Sequence, residues 1–202
     1  MTLLGRVAMF FPAVHLALSA AALVAFLSAP GIALLALAIF TVYLLPPLVF
    51  RVYSLKFPPR DGTWLLNRPA RSDWWVAHQL QLSYAALPSL EAVLRVVPGA
   101  YSAWLRLWGS RVGQRVHWTP NIDIIDRHMT DVGDDVVFGH RMTCTSHIIT
   151  KKKNGNIVLT VRRVSFGNGV VIGAGARIGP GVQVPDNAIV PYDAEYRWRH
   201  AA

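Results

Sequence analysis

The sequence predicts an α + β membrane protein with three parts: an N-terminal two-helix transmembrane hairpin, a set of interfacial helices, and a parallel β solenoid of six-residue repeats. Three observations predict it. Residues 7 to 50 contain no Lys, Arg, Asp or Glu. Five of the seven tryptophans (Trp64, Trp74, Trp75, Trp104 and Trp108) fall in the stretch that follows. From Val112 onward an apolar residue recurs at every sixth position, often with glycine after it. The corresponding boundaries are 1–53, 54–109 and 110–202, with a hairpin at 150–163 projecting from the last part.

The charge-free stretch divides into two apolar runs, Val7 to Ala29 and Gly31 to Phe50. Each is about the length a helix needs to cross a bilayer core, roughly 20 residues. Ser28-Ala29-Pro30-Gly31 between them is a turn. A cleaved leader is a poorer reading of the first run, which is long for a signal core and is followed at once by a second span. Arg6 precedes the first span, Arg51, Lys56 and Arg60 follow the second, and the tip carries no charge. That bias puts both ends and the solenoid on the cytoplasmic side of an inner membrane. Pro12 and the Pro46-Pro47 pair are expected to kink or end these helices. His15, inside the first span, reads as a neutral imidazole packed against another helix, since no acidic partner accompanies it.

Only 15% of the residues are charged, and the net charge is +9. Zinc-finger spacing and aromatic-basic RNA-binding patterns are missing, so nucleic acid is not an expected partner. The basic cluster Arg51, Lys56, Arg60, Arg68 and Arg71 suits anionic lipid instead. The single cysteine, Cys144, rules out an internal disulfide.

Residues 54 to 71 read as a polar loop. Ser72 then offers an N-cap for a helix from Asp73, with an apolar stripe at Val76, Leu80, Tyr84 and Leu87. Further helices are expected over Leu90–Val97 and from Pro98 to Trp108, the last ended by Gly109. The tryptophans here suit a membrane interface, or simply pack these helices onto the spans.

The repeat runs Val112, Trp118, Ile124, then Val132, Phe138, Cys144, then Phe166, Ile172, Ile178, Val184, Val190. Two extra residues precede Val132. Four positions after most anchors stands a second small or aliphatic residue, among them Val136, Met142, Ile148, Val170 and Ala176. A period of six fits neither a helix nor a simple strand, but it fits stacked coils sharing an apolar centre. The recurring glycines would permit corner conformations that side chains obstruct. One segment breaks the phase: Thr150 to Val161, with Asn154-Gly155 as a hairpin turn. Tyr192, Tyr196 and Trp198 are left to cap the last coil.

Over Val112 to Val190 the chain resembles the hexapeptide-repeat acyltransferases, whose fold is a left-handed parallel β-helix. The resemblance implies coils of three hexads, a homotrimer with sites between subunits, and an acyl-thioester donor, commonly acetyl-CoA or another acyl-CoA. It also implies a histidine near an extruded loop that deprotonates a hydroxyl or amine acceptor. His147, just before the hairpin and off the anchor phase, fits that place. The chemistry needs a group that titrates near neutral pH within reach of the acceptor. Asp126, about one coil earlier, is the candidate to orient it. Lys151, Lys152 and Arg177 are candidates for the coenzyme A phosphates; Lys151 to Lys153 could equally meet lipid headgroups or form a solvated strand edge. Cys144, on an anchor position, reads as core.

Membrane lipids and a small-molecule or lipid-linked acceptor complete the expected partners. Two other readings stand beside the transferase: a non-enzymatic trimeric membrane scaffold, and a zinc enzyme of the γ-carbonic-anhydrase type. No metal is expected, because His140 and His147 stand seven positions apart where those enzymes place two ligands five apart.

Overall fold

The computed structural model describes residues 2–66 and 73–197. The chain forms two compact units, Met1–Pro58 with Arg71–Leu87, and Pro59–Ala70 with Pro88–Ala202.

The charge-free stretch is helical, the state in which a chain satisfies its own backbone without water. Helix α1 (Leu3–Ala8) gives way at Met9 to α2 (Phe11–Ser28). The break lies just ahead of Pro12, whose nitrogen cannot donate to the Ala8 carbonyl. After Gly31 come α3 (Ile32–Ile39), a single π-helical turn (Phe40–Leu44) and α4 (Leu45–Lys56). Leu3–Ser28 and Ile32–Lys56 are long and apolar enough to cross a membrane.

Pro46 and Pro47 do not end the second helix, as their sequence position suggested. The π turn shifts the ladder so that the Leu45 N–H donates to the Phe40 carbonyl. In that register the next two donors would be residues 46 and 47, and both are prolines. The carbonyls left over are those of Thr41 and Val42. His15 Nε2 donates to the first at 2.9 Å, and the Tyr84 hydroxyl donates to the second at 2.7 Å. Nδ1 of His15 then accepts from the Ser83 hydroxyl at 2.7 Å.

Ser83 and Tyr84 belong to α5 (Asp73–Ala86), which packs against α2 and α4. The expected stripe is buried at Val76, Leu80 and Tyr84, but so are Trp74, Gln79, Gln81 and Ser83 on other sides. This helix therefore lacks the single wet face of an interfacial helix. Leu87 lies past its end and is exposed. The expected cap Ser72, with Arg68 and Arg71, lies outside the described residues.

In the second unit, residues expected to be loop form β1 (Gly62–Leu65). Helices α6 (Ser89–Val96) and α7 (Ala100–Trp108) follow, the latter starting after Gly99, whose φ of 77° breaks the chain two residues later than expected. Trp104 and Trp108 are buried, so they pack this unit and do not face an interface. The Trp118 indole donates to Ser102 at 2.8 Å, and Tyr101 meets the Trp118 ring edge-on at 4.9 Å. These contacts cap the first coil. A buried ionic cluster adds to them: Glu91 receives Arg95 at 2.6 Å, the Tyr101 hydroxyl at 2.7 Å and Arg127 Nε at 2.9 Å.

The solenoid has three parallel sheets. Its first coil contributes β2 (His117–Trp118), β3 (Asp123–Ile124) and β4 (Thr130–Val132). The second contributes β5 (Val137–Phe138) and β6 (Thr143–Cys144), then leaves the phase for a hairpin of β7 (His147–Lys151) and β8 (Ile157–Val161), and returns at β9 (Val164–Phe166). The remaining strands are β10 (Val171–Ile172), β11 (Arg177–Ile178), β12 (Gln183–Val184), β13 (Ile189–Val190) and β14 (Glu195–Tyr196). All eleven anchors are buried. Trp118 stacks on Phe138 at 4.6 Å, and Phe166 meets Phe138 edge-on.

The glycines divide into two kinds. A Cβ on Gly139 would lie 2.5 Å from the Ala174 backbone nitrogen, so the glycines after anchors serve close approach between coils. The left-handed corner conformation falls instead at positions such as Gly175, in a column that Arg141 and Asp193 share. Ile148 departs from the pattern: it is exposed, because the hairpin has already begun. Tyr192 is exposed too and does not cover the last coil; Trp198 lies outside the described residues.

Two outcomes follow. Glu91→Gln strands two buried guanidiniums and should destabilise the second unit by about 3–5 kcal/mol, read by denaturant unfolding. Tyr84→Phe removes the donor to the Val42 carbonyl and should cost about 1–3 kcal/mol, read by thermal unfolding in detergent.

Candidate functional site

The site lies where the repeat fails. Anchors on one sheet are spaced by 20 residues from Val112 to Val132, by 34 from Val132 to Phe166 and by 18 from Phe166 to Val184. Three hexads make 18. The first coil thus carries two extra residues and the second carries the hairpin.

The first insertion turns inward. Asp126, Arg127, His128 and Met129 are all buried. Their backbone is met by side chains: Ser110 donates to the Arg127 carbonyl at 2.6 Å, Ser146 to that of Met129 at 2.8 Å and Arg163 to that of His128 at 3.3 Å. The second insertion turns outward, with β8 central between β7 and β1. Its base is closed by the Arg162 N–H donating to the Ser146 carbonyl at 2.7 Å.

The two insertions meet at His147. Its Nδ1 lies 2.8 Å from Asp126 Oδ2. Asp126 is fully buried, and the same oxygen accepts the Ser146 N–H at 2.7 Å. An ionised carboxylate only accepts, so on the neutral ring Nδ1 carries the proton and Nε2 the lone pair. The side chain of His147 is 17% exposed. It lines a cavity of about 640 Å³ together with Ile148, Thr150, Lys151 and Lys152 of the hairpin, Arg177, Ile178 and Pro180 of the third coil, and Glu195 to Arg197.

All five residues picked from the sequence therefore converge. His147, Lys151, Lys152 and Arg177 line one cavity, and Asp126 lies beneath His147. Among the described residues none of these three cations makes an ion pair. Lys153 is exposed outside the cavity lining. Arg163 pairs with Asp131 at 2.8 Å, which marks it as structural. Sequence reasoning missed Thr145 and Glu195. Thr145 carried a signal two places before His147; Glu195 becomes visible only through its register opposite Arg177.

Two other groups are set aside by their surroundings. Burial pushes the Cys144 thiol up to about 12, which leaves no useful thiolate. Burial likewise holds His128 down at about 4; Asp126 pulls the other way, while Arg163, Arg127 and His147 add to the lowering. Among the described residues no group of three His, Cys, Asp or Glu side chains gathers as a metal site.

No family model and no curated protein matches the chain. Three of the solved structures it is similar to are as follows. One is a hexapeptide-repeat-containing acetyltransferase from Vibrio cholerae: 16% identity, 56% of this chain and 86% of that one, TM-score 0.37. Another is a galactoside acetyltransferase in complex with coenzyme A: 18% identity, 54% and 70%, TM-score 0.35. The third is serine acetyltransferase isoform 3 from Entamoeba histolytica in complex with cysteine: 17% identity, 82% and 62%, TM-score 0.19.

His128 generates a pH prediction. Its folded value of about 4 lies below the ordinary 6.5, so between those limits the unfolded chain binds a proton that the folded chain refuses. Stability contributed here is full above about pH 6.5 and falls as pH drops toward 4, by roughly 3 kcal/mol in all. Unfolding followed from pH 7 to 4 should show that loss, and His128→Gln should show less of it.

Proposed function

We propose that the chain is an acyltransferase that moves an acyl group, acetyl in the simplest case, from coenzyme A to a hydroxyl or amine. The observation that carries this reading is the hydrogen bond from His147 to buried Asp126 at the edge of a cavity that is also lined by three cations, Lys151, Lys152 and Arg177. A neutral imidazole with Nδ1–H fixed toward a carboxylate presents Nε2 as a general base. Lys151, Lys152 and Arg177 supply positive charge for the phosphates of the donor. Ile148, Ile178 and Pro180 give the same cavity an apolar wall.

Nε2 takes the proton of the acceptor O–H or N–H as that atom attacks the thioester carbonyl carbon. The tetrahedral intermediate collapses, the C–S bond breaks, and the departing thiolate takes the proton from the imidazolium. Asp126 stabilises the imidazolium between the two transfers. Cys144 and His128 take no part, being buried and held in their neutral forms.

The two apolar helices, on this reading, anchor the enzyme in an inner membrane with the solenoid on the cytoplasmic side. An acceptor at that surface is hydrophobic or lipid-linked. A homotrimer is the assembly that goes with the reading, each cavity being completed by a neighbouring copy.

The test is calorimetric binding of acetyl-CoA and free coenzyme A to the detergent-purified protein, followed by transfer assays on amine and hydroxyl acceptors. His147→Ala should bind the donor as the parent does and lose about 10²–10⁴-fold in transfer rate. Absence of donor binding to either protein would sink the coenzyme A reading.

A further inference from the structure

A second cavity, of about 580 Å³, lies against the first coil, where the turn between α6 and α7 meets β2. It shares no lining residue with the cavity at His147. Its wall includes Arg95, Arg106, Arg115 and His117, and no Asp or Glu. A cleft lined by one sign of charge gathers ions of the other.

The four basic residues differ in how they are held. Arg115 is matched on the surface by Asp135, with both bonds at 2.6 Å. Arg106 donates to the Val112 carbonyl at 2.8 Å and to that of Gly113 at 2.6 Å, which fixes its guanidinium in place. His117 is exposed on the outer side of β2. Arg95 is the buried one, its side chain 3% exposed. One terminal nitrogen donates to the Pro120 carbonyl at 2.9 Å, the other to Glu91 at 2.6 Å and to the Tyr101 hydroxyl at 2.9 Å. Its Nε–H meets no acceptor among the described residues. Glu91 also receives Arg127, so one carboxylate is divided between two guanidiniums. A buried guanidinium with an unmet donor and a shared counter-charge is suited to a further anion.

The rest of the lining sets the size and character of that anion. Buried Ser102 accepts the Trp118 indole N–H at 2.8 Å, which leaves the hydroxyl proton for an acceptor. Val97, Pro98 and the Trp118 ring give apolar surface. The volume falls in the range of cavities that hold small organic ligands and exceeds what a bare inorganic ion fills. More than one guanidinium at the wall suits a doubly charged head better than a carboxylate.

We infer that this cavity binds a small organic phosphate, its head held by Arg95, Arg106 and His117 and its body resting on Val97, Pro98 and Trp118. The site is independent of acyl transfer at His147.

The experiment is isothermal titration of phenyl phosphate into the full-length protein in neutral detergent. Phenyl phosphate should bind saturably, and more weakly as salt is raised. Benzyl alcohol, a similar body without the charge, should not bind. Competition separates two sources of the same head: displacement by glycerol 3-phosphate marks a soluble ligand, and displacement by dihexanoyl phosphatidic acid alone marks a lipid. Replacing Arg95 would disturb the Glu91 cluster, so the variants lie at the rim. His117→Gln should weaken binding about fivefold, the scale of one exposed hydrogen bond to a charged group. Val97→Trp, which fills part of the cavity, should abolish it, with thermal unfolding unchanged in both. Lys151→Gln/Lys152→Gln, in the other cavity, should retain it. No saturable binding overturns the inference, as does equal binding of benzyl alcohol. So does binding that survives His117→Gln and Val97→Trp but is lost in the double lysine variant, since the phosphate then sits at His147.

Discussion

The sheets of the solenoid are held by hydrogen bonds that run between coils, and this one constraint fixes where chemistry can sit. The His117 N–H donates to the Val136 carbonyl at 2.8 Å, that of Val137 to Val170 at 2.9 Å, and that of Val171 to Ala188 at 3.0 Å. A coil cannot slide by a residue without breaking such a column and turning its anchors outward. Extra residues must therefore leave the coil at a corner, either inward or outward. The chain does both, in successive coils. The inward insertion brings polar groups into a place where water cannot follow, and the outward one raises a wall beside it.

Burial of this kind is costly unless each charge has a partner. Arg127 and Asp126 are one residue apart and both buried, yet they turn to different partners. Arg127 reaches Glu91 of α6, which also holds Arg95 and the Tyr101 hydroxyl. Burial together with the Glu91 charge keeps that tyrosine protonated. Asp126 Oδ2 accepts the Ser146 N–H and lies 2.8 Å from the His147 ring nitrogen. The ionic cluster that caps the first coil thus holds the guanidinium of the residue next to Asp126. A cap at the end of the solenoid and the His147–Asp126 pair near its middle are connected through two adjacent residues.

The regular part of this was legible in the sequence because period and burial are the same fact: a residue at every sixth position points inward, and the anchors from Val112 to Val190 do so. The hairpin was legible from Asn154-Gly155, and His147 from standing beside it. What was not legible depends on closeness between segments far apart in the chain. Residues 62–65 carry no strand signal of their own and become one by pairing with β8. Ile148 has the spacing of an inward residue, and only the onset of the hairpin turns it out. Asp126 had the wrong register for certainty, since two added residues can be absorbed in several ways. Its burial follows from three side-chain donors that hold the surrounding carbonyls, and no local pattern announces those.

The apolar helices pose the opposite question. An ionisable side chain within such a segment is ordinarily a sign of function, and His15 is fully buried there. Its surroundings account for it otherwise. Two consecutive prolines cannot supply the donors that the π turn assigns to Thr41 and Val42, and an unmet carbonyl in an apolar medium costs several kcal/mol. His15 and Tyr84 supply those donors from two other helices, and Ser83 occupies the remaining ring nitrogen. Both nitrogens of His15 are committed, so the ring has no lone pair or proton to offer a substrate. The polar residues of the first unit hold a broken helix together. The imidazole that lines a cavity is His147, and its geometry comes from the two places where a six-residue rule was broken.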